Sequence, residues 1–231
     1  MKTSVDLVIA RPLSPAPSTA LIIGRAMLGC TDGRAGRILR GMLNAEEFAE
    51  TKFELPEAGR WCELVDGEVR QFEAPDDSHG TVVLNLTKAL GKHLHAGDTA
   101  RQPVYACYEL GLVTCRDPDT VRCPPVSVFV TGKAFAEMDG EVTESRPGLV
   151  IELATSNQRR AEMAERVLEW HAWGVPCVWI VNTLDKSVHV AEPGRALRVQ
   201  TTAETLSGDP VLPGLEFRVS DLFVEPEWWT R

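Results

Sequence analysis

The chain has 231 residues, 44% of them hydrophobic and 25% charged, the balance of one ordinary globular domain, which excludes a disordered or fibrous chain. No apolar run approaches the roughly 20 residues that cross a bilayer, and Asp6 interrupts the short apolar start, so neither a membrane span nor a secretory leader is expected and the expected location is cytoplasmic. A net charge of −9 argues against a broad nucleic-acid surface, which needs clustered Lys and Arg.

Residues 1–41 stand apart as a basic N-terminal extension. They set Lys2, Arg11, Arg25, Arg34, Arg37 and Arg40 against Asp6 and Asp32, and Pro12, Pro15 and Pro17 break the stretch. A disordered leader, sequence upstream of the true start, and a basic arm laid on DNA phosphates all fit this pattern. Residues 42–231 read as one domain. Asn44 followed by Glu47 starts a helix that runs towards Phe53, with an Asx cap and a carboxylate three residues on. Segments 61–65 and 68–72 flank Asp66-Gly67, a strong hairpin signal. Ser78 caps a helix with Val82, Leu86, Leu90 and Leu94 on one face, and Gly97 closes it.

Segments 104–108, 110–114 and 126–130 read as strands, and Arg116-Asp117-Pro118-Asp119 as a turn. Residues 149–153 form a short apolar strand. A helix follows over 157–173, with Met163, Val167 and Trp170 on its apolar stripe, ended by Gly174-Val175-Pro176. Segments 178–181 and 188–190 are strands around a turn at Asp185-Lys186; 197–201 adds another, and 221–223 is a short last element. Strands mixed with helices predict an α/β domain, a central mixed sheet flanked by helices.

Glu152 is the strongest chemical candidate. It is the one carboxylate inside Leu149-Val-Ile-Glu-Leu153, and a lone carboxylate there is costly to bury without a partner or a metal. A solvent-facing or arginine-paired glutamate is the alternative. The six cysteines include no Cys-x-x-Cys pair. Cys107, Cys115 and Cys123 are spaced by eight and read as reduced thiols, with a three-cysteine metal site as the rival. Nothing matches a P-loop, a dinucleotide fingerprint or a Ser-His-Asp triad.

Several short segments share an order and spacing: Met42-Leu-Asn-Ala-Glu-Glu-Phe48, Trp61-Cys-Glu-Leu-Val-Asp-Gly-Glu68, Ser78-His-Gly80, Pro124-Pro-Val126, Pro147-Gly-Leu-Val-Ile-Glu-Leu153 and Gly174-Val-Pro-Cys-Val-Trp-Ile-Val181. Over roughly 42–223 this series resembles the Uma-two family of restriction endonucleases, a branch of the PD-(D/E)XK nuclease superfamily. The resemblance implies a restriction-endonuclease-like fold and a metal ion, usually magnesium, held by an aspartate and a glutamate on adjacent strands. Such an ion stabilises charge on the phosphate and activates the attacking water.

Carried over residue by residue, the metal-binding glutamate is Glu152. Glu63, in a segment resembling the family's Tyr-Glu-Leu-Ile-Asp-Gly-Glu, is an additional metal or water ligand, and His79 matches a position near the site. The family's Pro-Asp-Val is Pro124-Pro125-Val126 here, and proline has no ligand atom on its side chain. The family's lysine, eight residues before the glycine of Gly-Val-Pro, is Arg166. It keeps the charge for a phosphate but not the neutral-amine chemistry. An exposed Arg166 paired with Glu162 or Glu169 is the plain alternative. Asp117 and Asp119 are the nearest carboxylates that could stand in for position 125, and Arg159 with Arg160 could extend a phosphate-facing strip.

The implied function is metal-dependent hydrolysis of DNA phosphodiesters, impaired at positions 125 and 166. The alternative is an inactive nuclease-fold protein that binds nucleic acid or a protein partner. Trp228 and Trp229 are where a homodimer would pack.

Overall fold

The computed structural model describes residues 42–96, 104–132 and 140–230; the 1–41 extension and Gly97, the expected stop of the second helix, lie outside the described residues. Helix α1 (Ala45–Thr51) starts as its sequence requires. The Asn44 side chain accepts from the Glu47 N–H, and the Glu47 carboxylate accepts from the Asn44 N–H. Short 3₁₀ turns follow, so the helix stops before Phe53. Strands β1 (Cys62–Val65) and β2 (Glu68–Gln71) form the expected hairpin. Asp66 and Gly67 both take positive φ (52° and 77°), the geometry a two-residue hairpin turn needs.

Helix α2 (Ser78–Ala96) begins at Ser78 itself, whose N–H donates to Asp76 Oδ1. The capping carboxylate is therefore Asp76, two residues upstream of the serine expected to cap. Val82, Leu86 and Leu90 are fully buried. Six strands then build the main sheet: β3 (Tyr105–Tyr108), β6 (Val126–Phe129), β8 (Leu149–Ala154), β9 (Val178–Asn182), β10 (Ser187–Ala191) and β11 (Arg198–Gln200), in the order β11-β10-β9-β8-β6-β3. Only β8 and β9 are parallel, joined by helix α3 (Asn157–Trp173); every other pairing in this sheet is antiparallel.

A second sheet was not foreseen. Glu109 takes φ 51° after β3, and the chain leaves the main sheet to form β4 (Gly111–Cys115) and β5 (Thr120–Arg122), which pair with the hairpin and with β7 (Val142–Thr143) in the order β2-β1-β5-β4-β7. Strand β5 and the small pair β12 (Thr205–Ser207) and β13 (Glu216–Arg218) are too short to show an alternating pattern. The fold is nonetheless the mixed α/β architecture expected, with large mixed sheets flanked by three helices. Among the described residues no helix is long and apolar enough to cross a membrane.

Strand β8 is buried along its whole length. Alternation splits its faces. Leu149, Ile151 and Leu153 join the core under α2, while Val150 and Ala154 join the core under α3 with Met163 and Trp170. Glu152 shares the parity of Val150 and Ala154, so it faces α3. There the buried positions are Met163, Arg166 and Trp170. Val167, placed on the stripe by pattern, is only half-buried, and an arginine sits at the centre of the packed face.

Candidate active site

The register of β6 against β8 pairs Val126 with Ile151, Ser127 with Val150 and Val128 with Leu149. One further step places Pro125 opposite Glu152. Proline has no N–H to continue the ladder, and Pro125 instead offers its carbonyl to the Glu109 N–H. The aspartate-and-glutamate position of the resembled family is thus occupied by a proline and a glutamate side by side. What remains open between Pro125, Glu152, His79 and Arg159 is a cavity of about 40 Å³, room for about one water molecule.

Arg166 brings the motif positions together. It is 3% exposed, not on the solvent face of its helix, and its partners are neither Glu162 nor Glu169. Nε and Nη2 donate to Glu152 Oε1 at 3.0 and 2.7 Å. Nη1 donates to Glu63 Oε2 at 2.7 Å, and Nη2 also reaches Glu63 Oε1 at 3.0 Å. Four of the five N–H donors of Arg166 are thus committed to the two carboxylates, which leaves one on Nη1 for the phosphate contact expected of it. One helical turn on, Trp170 Nε1 donates to the same Glu152 Oε1 at 2.8 Å.

Glu63, on the fully buried β1, gathers more cations. Arg122 Nη1 donates to it at 3.0 Å, the Cys123 N–H at 3.2 Å, and Arg159 Nη1 stands 3.6 Å away. Burial would raise the Glu63 pKa, but Arg166, Arg159 and Arg122 outweigh it and hold the carboxyl well below the usual range. Burial likewise disfavours the charged form of Arg166, yet Glu152 and Glu63 raise its pKa further. Arg122 is in turn clamped by Glu169, with its shortest bond at 2.6 Å. The resulting chain runs Glu169–Arg122–Glu63–Arg166–Glu152–Trp170. Arg122, Glu169 and Trp170 are members that motif reasoning did not supply; the only sequence signal was the helical spacing of 166, 169 and 170.

The other candidates fall around this chain. His79, in the first turn of α2, meets Trp61 edge-on at 5.4 Å, and its Nδ1 is buried without a partner. Burial lowers its pKa, opposed by Glu109 and Asp76. Arg159 turns inward, 3.8 Å from the Phe72 ring centroid. Arg160 donates to the Ala154 carbonyl and Asn157 Oδ1, so the pair forms no outward strip. Asp119 accepts from the Ala45 and Asp117 N–H groups and from Arg116. It is part of the β4–β5 turn, and neither it nor Asp117 lines the cavity beside Pro125. Cys107 and Cys123 line one pocket and Cys115 another, so the three evenly spaced cysteines do not converge.

These residues do not fit the divalent ion that the resemblance implies. Magnesium wants oxygen ligands in an octahedron. Position 125 has no side-chain oxygen, and three of the four oxygens of Glu63 and Glu152 accept from Arg166. Among the described residues, no three His, Cys, Asp or Glu are grouped so as to hold a metal.

The Uma2 family model, described as "Putative restriction endonuclease", matches residues 46–220. A crystal structure described as "a putative nuclease belonging to DUF820 from Anabaena variabilis" matches with a TM-score of 0.62 at 19% identity, covering 78% of this chain and 97% of that one. At that identity the likeness carries the fold alone. No curated protein matches.

Proposed function

From the premise that the chain belongs to the Uma2 family, whose model spans residues 46–220, we propose that it is a nuclease-fold protein directed at DNA in which metal-dependent hydrolysis of phosphodiesters has been switched off. The observation that carries this reading is the site itself: Pro125 stands opposite Glu152 where a carboxylate would complete a metal site, and Arg166 joins Glu152 to Glu63. Nucleophilic water needs activation, and the family's means of activation is the ion that these residues do not fit. None of the titratable side chains lining the cavity takes over that task with a hydrogen-bonded partner base. His79, the one neutral base there, has no partner on Nδ1.

The test is supercoiled plasmid incubated with the purified protein in magnesium or manganese. The native chain is expected to leave the plasmid intact. Pro125→Asp combined with Arg166→Lys is expected to nick it, and adding Glu152→Ala to that pair should abolish the nicking. Cutting by the native chain that disappears in Glu152→Ala would sink the proposal. DNA binding is read separately: affinity should be indifferent to magnesium and fall steeply with salt.

A further inference from the structure

We infer that the Arg166 guanidinium is the site's own cation, standing between Glu63 and Glu152 where a divalent ion would stand, so that this site neither needs nor admits metal. The inference rests on reading the two glutamates as the remnant of a nuclease site, but it can fail independently of the lost hydrolysis.

Three features support it. The first is donor geometry. A guanidinium carries five N–H donors in a planar fork, and Arg166 makes four contacts to the two carboxylates at 2.7–3.0 Å. A lysine ammonium is a compact point charge on a flexible stem that can move aside; the fork is fixed by both carboxylates at once.

The second is charge. Three guanidinium groups already face Glu63: Arg166 at 2.7 Å, Arg122 at 3.0 Å and Arg159 at 3.6 Å. An entering divalent ion would meet three like charges in a poorly screened setting. The third is position. Arg166 comes from α3, Glu152 from the main sheet and Glu63 from the second sheet, so the same contact that excludes metal fastens three parts of the fold together. A bound ion could do the fastening only while it was present; the arginine does it permanently.

The experiment is a Mn²⁺ titration followed by the free-ion EPR signal, with thermal unfolding in Mn²⁺ and in EDTA beside it. The native chain and Glu152→Gln are expected to give superimposable titrations, and the native melting temperature should be the same in both media. Arg166→Ala is expected to gain one Mn²⁺ site that is lost again in Arg166→Ala with Glu152→Gln, and Mn²⁺ should raise its melting temperature. A stoichiometric Mn²⁺ site in the native chain that Glu152→Gln removes would overturn the inference, whether or not the protein cuts DNA. So would a folded Arg166→Ala protein that gains no site. The native titration needs no Arg166 variant, so it tests the inference even where Arg166→Ala folds poorly. Cutting of plasmid by a native chain whose titration shows no Mn²⁺ site, lost again in Glu152→Ala, would instead overturn the proposed loss of hydrolysis while leaving Arg166 as the resident cation.

Discussion

Arg166 and Arg116 each gather carboxylates from distant parts of the chain, in opposite settings. The Arg166 side chain is 4% exposed, and its partners Glu63 and Glu152 are 1% and 2% exposed. Arg116 is 38% exposed and binds Glu46 at 59%, Glu144 at 63% and the buried Asp119. Both make bonds of 2.7–3.0 Å, so bond length alone would rank them together. The difference lies in the alternative open to each group. At Arg116 water can take over from any lost partner. At Arg166 burial limits that replacement, and a lost partner leaves buried charge only partly compensated.

The largest effect is expected where Arg166 is removed. Arg166→Ala leaves Glu63 and Glu152 buried without their main counter-ion, a change that typically costs about 3–5 kcal/mol. That is a large part of the roughly 5–15 kcal/mol that stabilises a domain. Urea unfolding of the full chain in EDTA measures it. A loss below about 1 kcal/mol would mean that the buried chain of ion pairs is not what joins α3 to the two sheets.

Sequence reasoning reached the helices and most of the main sheet because their signals are local. The Asn44–Glu47 box, the Asp66-Gly67 turn and the Gly174 cap (φ 105°) each act within a few residues. It also picked out Glu63, Glu152 and Arg166 as belonging to one site, through a resemblance and not through periodicity. What it missed depends on long-range pairing. Nothing in Thr120–Arg122 itself announces a strand: three residues show no alternation even though β4 pairs with them across the adjacent turn, and the other partner, β1, lies more than fifty residues upstream. Helical periodicity put Val167 on the packed stripe because an arginine reads as solvent-facing. Only the carboxylates on β1 and β8 make its burial tolerable, and they are distant in sequence.

Acid should weaken the buried site next. Glu63 has its pKa held below the ordinary carboxylate value of 4.5 by three arginines that overcome burial. A depressed carboxylate contributes stability above its unfolded value and loses it as pH falls through the folded one. Stability should therefore drop steeply below about pH 4.5, and Glu63→Gln should flatten that limb while lowering the plateau. His79 gives a separate, gentler limb. Burial depresses its pKa below 6.5, so the unfolded chain binds the proton first and stability declines as pH falls below 6.5 towards the folded value. His79→Phe should remove that decline, since a phenyl ring keeps the edge-on contact with Trp61 and has nothing to protonate. Unfolding midpoints between pH 7 and 3 for the native chain and both variants separate the two limbs; an unchanged slope below 6.5 in His79→Phe would assign it to another group.

The smallest effect is expected at Arg116. Arg116→Ala should cost no more than about 1 kcal/mol, the range of exposed ion pairs. The reason lies at Asp119, its one buried partner. That carboxylate also accepts from the Ala45 N–H at 2.8 Å and the Asp117 N–H at 3.2 Å, so losing the arginine does not leave it alone. Burial raises the Asp119 pKa, but those two N–H groups and then Arg116 bring it below the usual value, and the backbone share survives the substitution. Salt offers the control. At about 1 M ionic strength the screening length falls to about 3 Å, which should shrink the cost of Arg116→Ala towards zero and leave the cost of Arg166→Ala nearly unchanged, because the Arg166 guanidinium and both its carboxylates are buried. Equal salt sensitivity in the two variants would mean that water and ions do enter between Glu63 and Glu152, and the distinction between the two arginines would then be one of degree.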